Sequence, residues 1–181
     1  MSEEIFIAET VNWLERAVIG LNLCPFAKAV HVKQQIRYKV SAATTADALR
    51  DELIAELRRL AAADPVEIDT TLLIHPYALA DFLDYNDFLY VADDAIHELE
   101  LDGILQIASF HPQYQFAGTE ADDITNCTNR SPYPMLHLLR EASIDRAVAA
   151  FPDASTIYEK NIETLNQLGQ AGWNQLLKGG K

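Results

Sequence analysis

The chain has 181 residues, with 27 acidic residues against 14 Lys or Arg, and its formal net charge is −13. Because 49% of its residues are hydrophobic and it has only two cysteines, a disordered chain and a disulfide scaffold are excluded. The strong negative charge disfavours duplex DNA and anionic membrane surfaces as partners, and no apolar run is long enough for a membrane span. We expect one cytoplasmic domain over residues 1–181, without a signal peptide and of open oligomeric state.

The first elements are a helix and a strand. Apolar residues recur at spacings of three and four, which predicts an amphipathic helix whose inner face carries Ile7, Val11, Leu14, Val18 and Leu21. Pro25 ends this helix, because proline disfavours the α conformation of the residue before it. The alternating, β-rich segment 36–40 then predicts the first strand.

Two further strands follow, separated by helices. Thr44 and Asp47 resemble a capping box, and they precede a helix with a stripe of Leu49, Leu53, Leu57 and Leu60. Residues 68–74 form an apolar, β-branched run that is typical of a strand buried on both faces. A helical stretch over about 79–99 and a third strand over 104–110 come next. Residues 84–87 are polar enough to permit a break into two helices, in which case strand three could run antiparallel.

The last third of the chain is predicted to be helical. One helix runs from about Pro132 to Ala150, with Ser131 as its cap, and another runs from Thr156 to Leu177 with a capping box at Thr156. The order is therefore α-β-α-β-α-β-α-α. This predicts a single α/β domain with a small, mostly parallel sheet of three or slightly more strands, flanked by about five helices.

The charges are unevenly distributed along the chain. Residues 60–129 hold 14 acids and no Lys or Arg, whereas residues 17–46 hold four cations and no acid. Residues 103–119 contain neither an acid nor Lys or Arg, although they include several polar side chains. Charge runs are usually solvated faces, but they leave room for a local cationic site for a small anion.

Two His-Pro pairs end neighbouring predicted strands. His75 follows strand two and His111 follows strand three, so parallel strands would bring both to the carboxyl edge of the sheet, where α/β proteins bind ligands. His111 is the candidate general acid/base, and His75 is a candidate substrate-binding residue. The alternative is that both histidines only cap backbone groups at the strand ends.

The following loop suggests an anion site. Arg130 immediately precedes the predicted helix start at Ser131, and both features attract carboxylate or phosphate. The candidate substrate-binding residues are Arg130, Asn129, Tyr114, His137 and Arg37, together with His75. The alternative is that Arg130 pairs with a neighbouring acid and only holds the loop.

Cys24 is the candidate nucleophile. It would need to lie beside His111, since a thiol is activated by an adjacent base. Its place at a helix carboxyl end raises rather than lowers the thiol pKa, so a buried, inert cysteine is the competing interpretation.

Standard cofactor motifs are absent. There is no P-loop, dinucleotide-binding, CxxC, HExxH or GxSxG pattern, so no cofactor is implied. A metal held by His75 and His111, with His137 or Asp122, is one alternative to a small enzyme acting on an anionic metabolite. A non-catalytic protein- or ligand-binding module is the other.

Three segments carry a family resemblance: GLNLCPFA near the start, SFHPQYQF in the middle and NRSPYPMLHLLREASI later. Together they resemble the bacterial family catalogued as domain of unknown function 1415, over nearly the whole chain. The resemblance implies no activity, cofactor or partner. It gives more weight to Cys24, His111, Asn129, Arg130 and His137 than to Cys127 and His75.

Overall fold

A computed structural model describes residues 2–151 and 154–178. Its helices are α1 (Glu3–Trp13), α2 (Ala27–Val32), α3 (Ala46–Ala62), α4 (Phe82–Glu98), α5 (Glu141–Ala150) and α6 (Ile157–Lys178). Its strands are β1 (Ile36–Val40), β2 (Thr70–Ile74), β3 (Leu105–Phe110) and β4 (Met135–Arg140). A π-helical segment (Leu14–Ile19) continues α1, and short 3₁₀ helices cover Ile124–Thr128 and Ala154–Thr156.

The strands form one mixed sheet in the order β1-β2-β4-β3. β1 and β2 are parallel, and β4 is antiparallel to both β2 and β3. β3 therefore runs in the same direction as β2, as the sequence predicted, but it is not its neighbour. The α/β class is confirmed, while the three-stranded, mostly parallel sheet is corrected to four mixed strands.

The missing strand lies where the sequence predicted a helix. Of the predicted helix 132–150, only Glu141–Ala150 is helical, and Met135–Arg140 pairs with strands on both sides. The segment MLHLLR contains no β-branched residue, so local propensity favours a helix there. Hydrogen bonding to two neighbouring strands overrides that propensity.

One face of the sheet is closed by α3 and α4. The predicted leucine stripe of α3 is fully buried and packs with Leu73, Leu136 and Leu138 of the sheet. α4 is one unbroken helix, because its polar residues 84, 86 and 87 point outward while Tyr85 and Phe88 point into the core. Its cap is Asp81, and the cap of α3 is Thr45 rather than the predicted Thr44.

The opposite face is covered by α1 with its π-helical continuation, by α2, α5 and α6. The buried residues of the first helix are Phe6, Thr10, Trp13, Leu14, Ala17 and Val18, so its inner face lies partly one position from the predicted one. The predicted helix 156–177 is interrupted at Gly169, whose φ of 64° is a conformation that favours glycine. Among the described residues, no helix has both the length and the apolar character needed to cross a membrane.

Tyr85 of α4 joins the carboxyl end of β3 to the start of β4. Its hydroxyl donates to the Met135 carbonyl at 2.9 Å and accepts from the Phe110 N–H at 3.0 Å. The ring is completely buried. A helix side chain thus supplies the last hydrogen bonds of this strand pair.

We expect Tyr85→Phe to lower the free energy of unfolding by about 2–4 kcal/mol, because it leaves a buried N–H and a buried carbonyl without this partner. Urea denaturation would measure the loss. Tyr90→Phe is the matched control, since Tyr90 lies on the same helix and is 73% exposed. Equal stability of the two variants would contradict this role of the Tyr85 hydroxyl.

Candidate functional site

Both His-Pro pairs lie at the same edge of the sheet, as the sequence predicted. The rings of His75 and His111 pack against Tyr85, with centroid distances of 5.8 Å and 5.0 Å. Both histidines are fully buried. They are therefore part of an aromatic cluster that also includes Phe82.

The ring nitrogens of His111 are both bonded to the backbone. Nδ1 accepts from the Gln113 N–H at 3.0 Å, and Nε2 lies 3.2 Å from the Leu79 carbonyl, to which it donates. Burial lowers the pKa of His111, so the ring is neutral at neutral pH. These bonds orient the imidazole toward the core and end β3.

His75 has one partner for its two ring nitrogens. Nδ1 donates to the Ala78 carbonyl at 3.1 Å, whereas Nε2 is buried without a hydrogen bond among the described residues. Burial lowers the pKa of His75 to about 4, although the hydrogen bond to the Ala78 carbonyl raises it; the nearby His111 also lowers it. The neutral ring stacked on Tyr85 is therefore a stability element that acid would disturb.

Arg130 and its neighbours organise the loop after β3. The guanidinium of Arg130 donates to the carbonyls of Tyr114 and Ala121 at 3.2 Å and 2.5 Å. Asn129 donates through its side chain to the Ser109 carbonyl, and the Tyr114 hydroxyl accepts from Ser109 Oγ. The helix start predicted at Ser131 is wrong, since β4 follows there, so no helix amino end supports an anion beside Arg130.

Arg37 projects from β1 toward α3, on the face of the sheet that α3 and α4 cover. It forms a two-pronged ion pair with the buried Glu56 of α3, at 2.7 Å and 3.0 Å. That pair ties β1 to α3. Arg37 is therefore held by Glu56, whereas His75 and His111 pack on Tyr85 and Arg130 holds loop carbonyls.

A large cavity lies between the sheet and the helices of the second face. Its volume is about 820 Å³, and we call it the sheet cavity. Its floor is made mainly by alternate residues of β2, β4 and β3, with Ile36 of β1 beside them. Its walls come from α1 and its π-helical continuation, the turn before α2, α2 itself and α5. The lining is Trp13, Leu14, Val18, Cys24, Pro25, Phe26, Ala27, Ala29, Val30, Lys33, Gln35, Ile36, Pro65, Val66, Asp69, Thr70, Leu72, Gln106, Ala108, Phe110, His137, Leu139, Arg140, Ser143, Ile144, Arg146, Ala147, Ala150 and Phe151.

The sheet register explains why the floor has this composition. Leu72 pairs with His137, and His137 pairs with Ala108, so the three side chains form one row across β2, β4 and β3. A second row contains Thr70, Leu139 and Gln106. Ala108 is small, so the middle of the floor is open.

Two sequence candidates, Cys24 and His137, line the sheet cavity together. Burial raises the pKa of the Cys24 thiol, which keeps it protonated at neutral pH. Burial lowers the pKa of His137 to about 4, which keeps its ring neutral. The other site residues predicted from the sequence do not line this cavity: His75, His111, Asn129, Arg130, Tyr114 and Arg37.

The charged residues of the sheet cavity are mostly cations. Lys33, Arg140 and Arg146 line it with a single carboxylate, Asp69, in a chain whose net charge is −13. Arg140 donates to the carbonyls of Leu60, Ala63 and Ile68, where it stabilises the carboxyl end of α3. Lys33 and Arg146 are exposed at the rim.

No group of three or more His, Cys, Asp or Glu side chains is arranged to hold a metal ion within residues 2–151 and 154–178. His75 and His111 pack on Tyr85, whereas His137 lies on the opposite face of the sheet.

The fold and its cavity define a mixed α/β protein with a pocket on one face of the sheet. The chain belongs to the family described as "Protein of unknown function (DUF1415)", whose model matches residues 5–175. No curated protein and no solved structure matches the chain.

Several lining residues were not singled out from the sequence, namely Lys33, Thr70, Ala108 and Arg146. Gln106 and Ala108 lie two positions apart in β3, which is the period of one sheet face. That signal was available. The contribution of β4 and α5 to the cavity could not be predicted, because the sequence placed both segments in one helix.

The neutral His75 predicts acid sensitivity. Its folded-state pKa of about 4 lies below the ordinary histidine value, so the unfolded chain binds the proton more tightly. Stability is full above about pH 6.5 and falls as the pH decreases toward 4, by up to about 3 kcal/mol from this residue.

Urea denaturation at pH 7, 5.5 and 4.5 would measure this dependence. His75→Asn keeps an N–H near the Ala78 carbonyl and removes the titrating ring, so its stability should decline less between pH 7 and 4.5. The control is His97→Asn, which removes an imidazole that is 83% exposed. An unchanged decline in His75→Asn would rule His75 out as the source.

Proposed function

We propose that this protein binds a small anionic molecule with an apolar body in the sheet cavity. The observation that carries the proposal is the cavity itself, at about 820 Å³, with a mainly apolar lining and an excess of cationic side chains. Ligand pockets typically have this size range and this combination of apolar surface with a few polar groups.

The apolar part of the ligand would lie on the floor and inner wall. Partly exposed aromatic and aliphatic surface is offered there by Val30, Ile36, Phe110, Leu139 and Ile144. Burial of apolar area contributes roughly 25 cal/mol per Å² before the costs of binding are subtracted. This surface favours a ring or a branched chain over a fully polar metabolite.

The anionic part would lie at the rim. Lys33 at the end of α2 and Arg146 on α5 are both exposed there, and a local excess of positive charge on an acidic protein attracts small anions. Arg146 donates one N–H to Ser143, which leaves its other N–H groups for a carboxylate.

The sheet cavity supports binding better than the region predicted from the sequence. Both ring nitrogens of His111 are hydrogen-bonded to backbone groups, and the guanidinium of Arg130 donates hydrogen bonds to two loop carbonyls. A ligand at that position would have to break these bonds, whereas a ligand in the sheet cavity would not. Acid–base catalysis by His111 stays a prediction.

Fluorescence or calorimetric titration with 2-naphthoate tests the anionic requirement. We expect 2-naphthoate to bind and uncharged naphthalene to bind more weakly. Lys33→Gln should weaken 2-naphthoate binding by up to about fivefold, because an exposed ion pair contributes roughly 0.2–1 kcal/mol. Lys28→Gln is the matched control, since Lys28 is exposed on α2 and outside the cavity lining. An equal effect of both substitutions would contradict the claim that Lys33 at the cavity rim binds the anionic group.

Ala108→Phe tests the position of the ligand. A phenyl ring at Ala108 would project from β3 into the open part of the floor beside His137 and should reduce 2-naphthoate binding by about tenfold or more. Ala62→Phe, at an exposed position of α3, is the control. Retained binding in Ala108→Phe would place the ligand elsewhere.

Alkylation of Cys24 gives an independent measure of the same position. We expect slow reaction with iodoacetamide at pH 7, because burial raises the thiol pKa, and faster reaction as the pH increases. Bound 2-naphthoate should slow it further in the wild type but not in Ala108→Phe. Mass spectrometry separates Cys24 from Cys127, which is buried. Identical rates with and without 2-naphthoate would contradict binding in the sheet cavity.

A second copy of the chain is the competing occupant. Sedimentation velocity with and without 2-naphthoate distinguishes the two. A dimer that dissociates as the naphthoate binds would show that this face joins two copies, and would overturn the small-molecule proposal.

A further inference from the structure

His137 has a defined hydrogen-bonding state within the sheet cavity. It lies in the middle of β4, which pairs with β2 on one side and β3 on the other, so the backbone that carries it is fixed by two sets of ladder bonds. Its Nε2 lies 2.6 Å from Thr70 Oγ1 on β2. Thr70 Oγ1 in turn lies 2.7 Å from the Leu138 carbonyl oxygen.

The single proton of the Thr70 hydroxyl decides the protonation of the ring. A carbonyl oxygen cannot donate, so the short contact between Thr70 and Leu138 requires the hydroxyl proton. The Thr70 oxygen must then accept from His137, which places the imidazole proton on Nε2. Nδ1 is left as an unprotonated acceptor.

Nδ1 of His137 has no donor partner in the described chain. The ring of His137 forms a hydrogen bond to Thr70 alone. Nδ1 is not fully buried, unlike the polar side-chain atoms of the core that lack a partner. Since His137 lines the sheet cavity, the lone pair is accessible from it. The neighbouring side chains in its row, Leu72 and Ala108, cannot donate.

We infer that the ligand of the sheet cavity carries a hydroxyl group that donates a hydrogen bond to Nδ1 of His137. This inference rests on the proposed function, because it names a second recognition group on the same ligand. The ligand class is then a hydroxylated apolar acid: a carboxylate at the rim, an apolar ring or branched chain on the floor, and a hydroxyl at β4.

The alternatives at this position are less favourable. An ether or a carbonyl would direct its lone pair at the Nδ1 lone pair, and a buried polar group without a partner costs about 1–3 kcal/mol. Protonation of the imidazole would turn Nδ1 into a donor, but burial lowers the pKa of His137 to about 4, so the neutral ring prevails at pH 7.

Three probes with the same naphthoate frame test the inference: 2-naphthoate, 6-hydroxy-2-naphthoate and 6-methoxy-2-naphthoate, titrated at pH 7 into the full chain. We expect the hydroxy compound to bind about five- to tenfold more tightly than the methoxy compound, which is the effect of one net hydrogen bond. Equal binding of the hydroxy and methoxy compounds would overturn the inference and leave the proposed function standing. Binding of none of the three would overturn both.

Two substitutions locate the effect. His137→Phe should abolish the preference for hydroxyl over methoxy and still bind 2-naphthoate, because the apolar floor and the cationic rim remain. Thr70→Val removes the acceptor that keeps the proton on Nε2, so the preference should fall while the ring stays in place. A preference that persists in His137→Phe would overturn the inference. If that variant does not fold, an undiminished preference in Thr70→Val would do so.

Discussion

The pairing of β4 with strands on both sides is the constraint on which the rest of the structure depends. β4 runs antiparallel between β2 and β3, so it holds β3 in the sheet and separates the two strands that lead to His75 and His111. Successive side chains of β4 also point to opposite faces of the sheet. Leu136 and Leu138 point toward α3 and α4, while His137 and Leu139 point toward the sheet cavity.

The elements with strong periodic or terminal signals could be predicted from the sequence. The leucine stripe of α3, the buried run of β2 and the direction of β3 all agree with the structure. The strand at Met135–Arg140 could not be predicted, because its residues have good helix propensity and its strand partners are more than 20 residues away along the chain. The cap of α3 is Thr45 rather than Thr44, one position from the predicted residue, which is a usual uncertainty at helix ends.

The candidate site was likewise predictable only where the sequence carries a local signal. Strand ends can be located from the sequence, so the joint position of His75 and His111 was predictable. What those side chains contact was not, because the bonds of His111 to Leu79 and Gln113 depend on turns without a local signature. Cys24 and His137 were singled out as reactive side chains, but only the mixed sheet brings them to one cavity.

The composition of the cavity floor is difficult to explain by stability alone. The cavity of about 820 Å³ is open to solvent, and polar and charged side chains stand among the apolar residues of its walls. Ala108 occupies the position beside His137 where a larger side chain would pack, and Thr70 uses its hydroxyl to orient an imidazole rather than to close the floor. Ala108 and Thr70 therefore leave this part of the floor open and polar, which is consistent with the ligand binding proposed for this face.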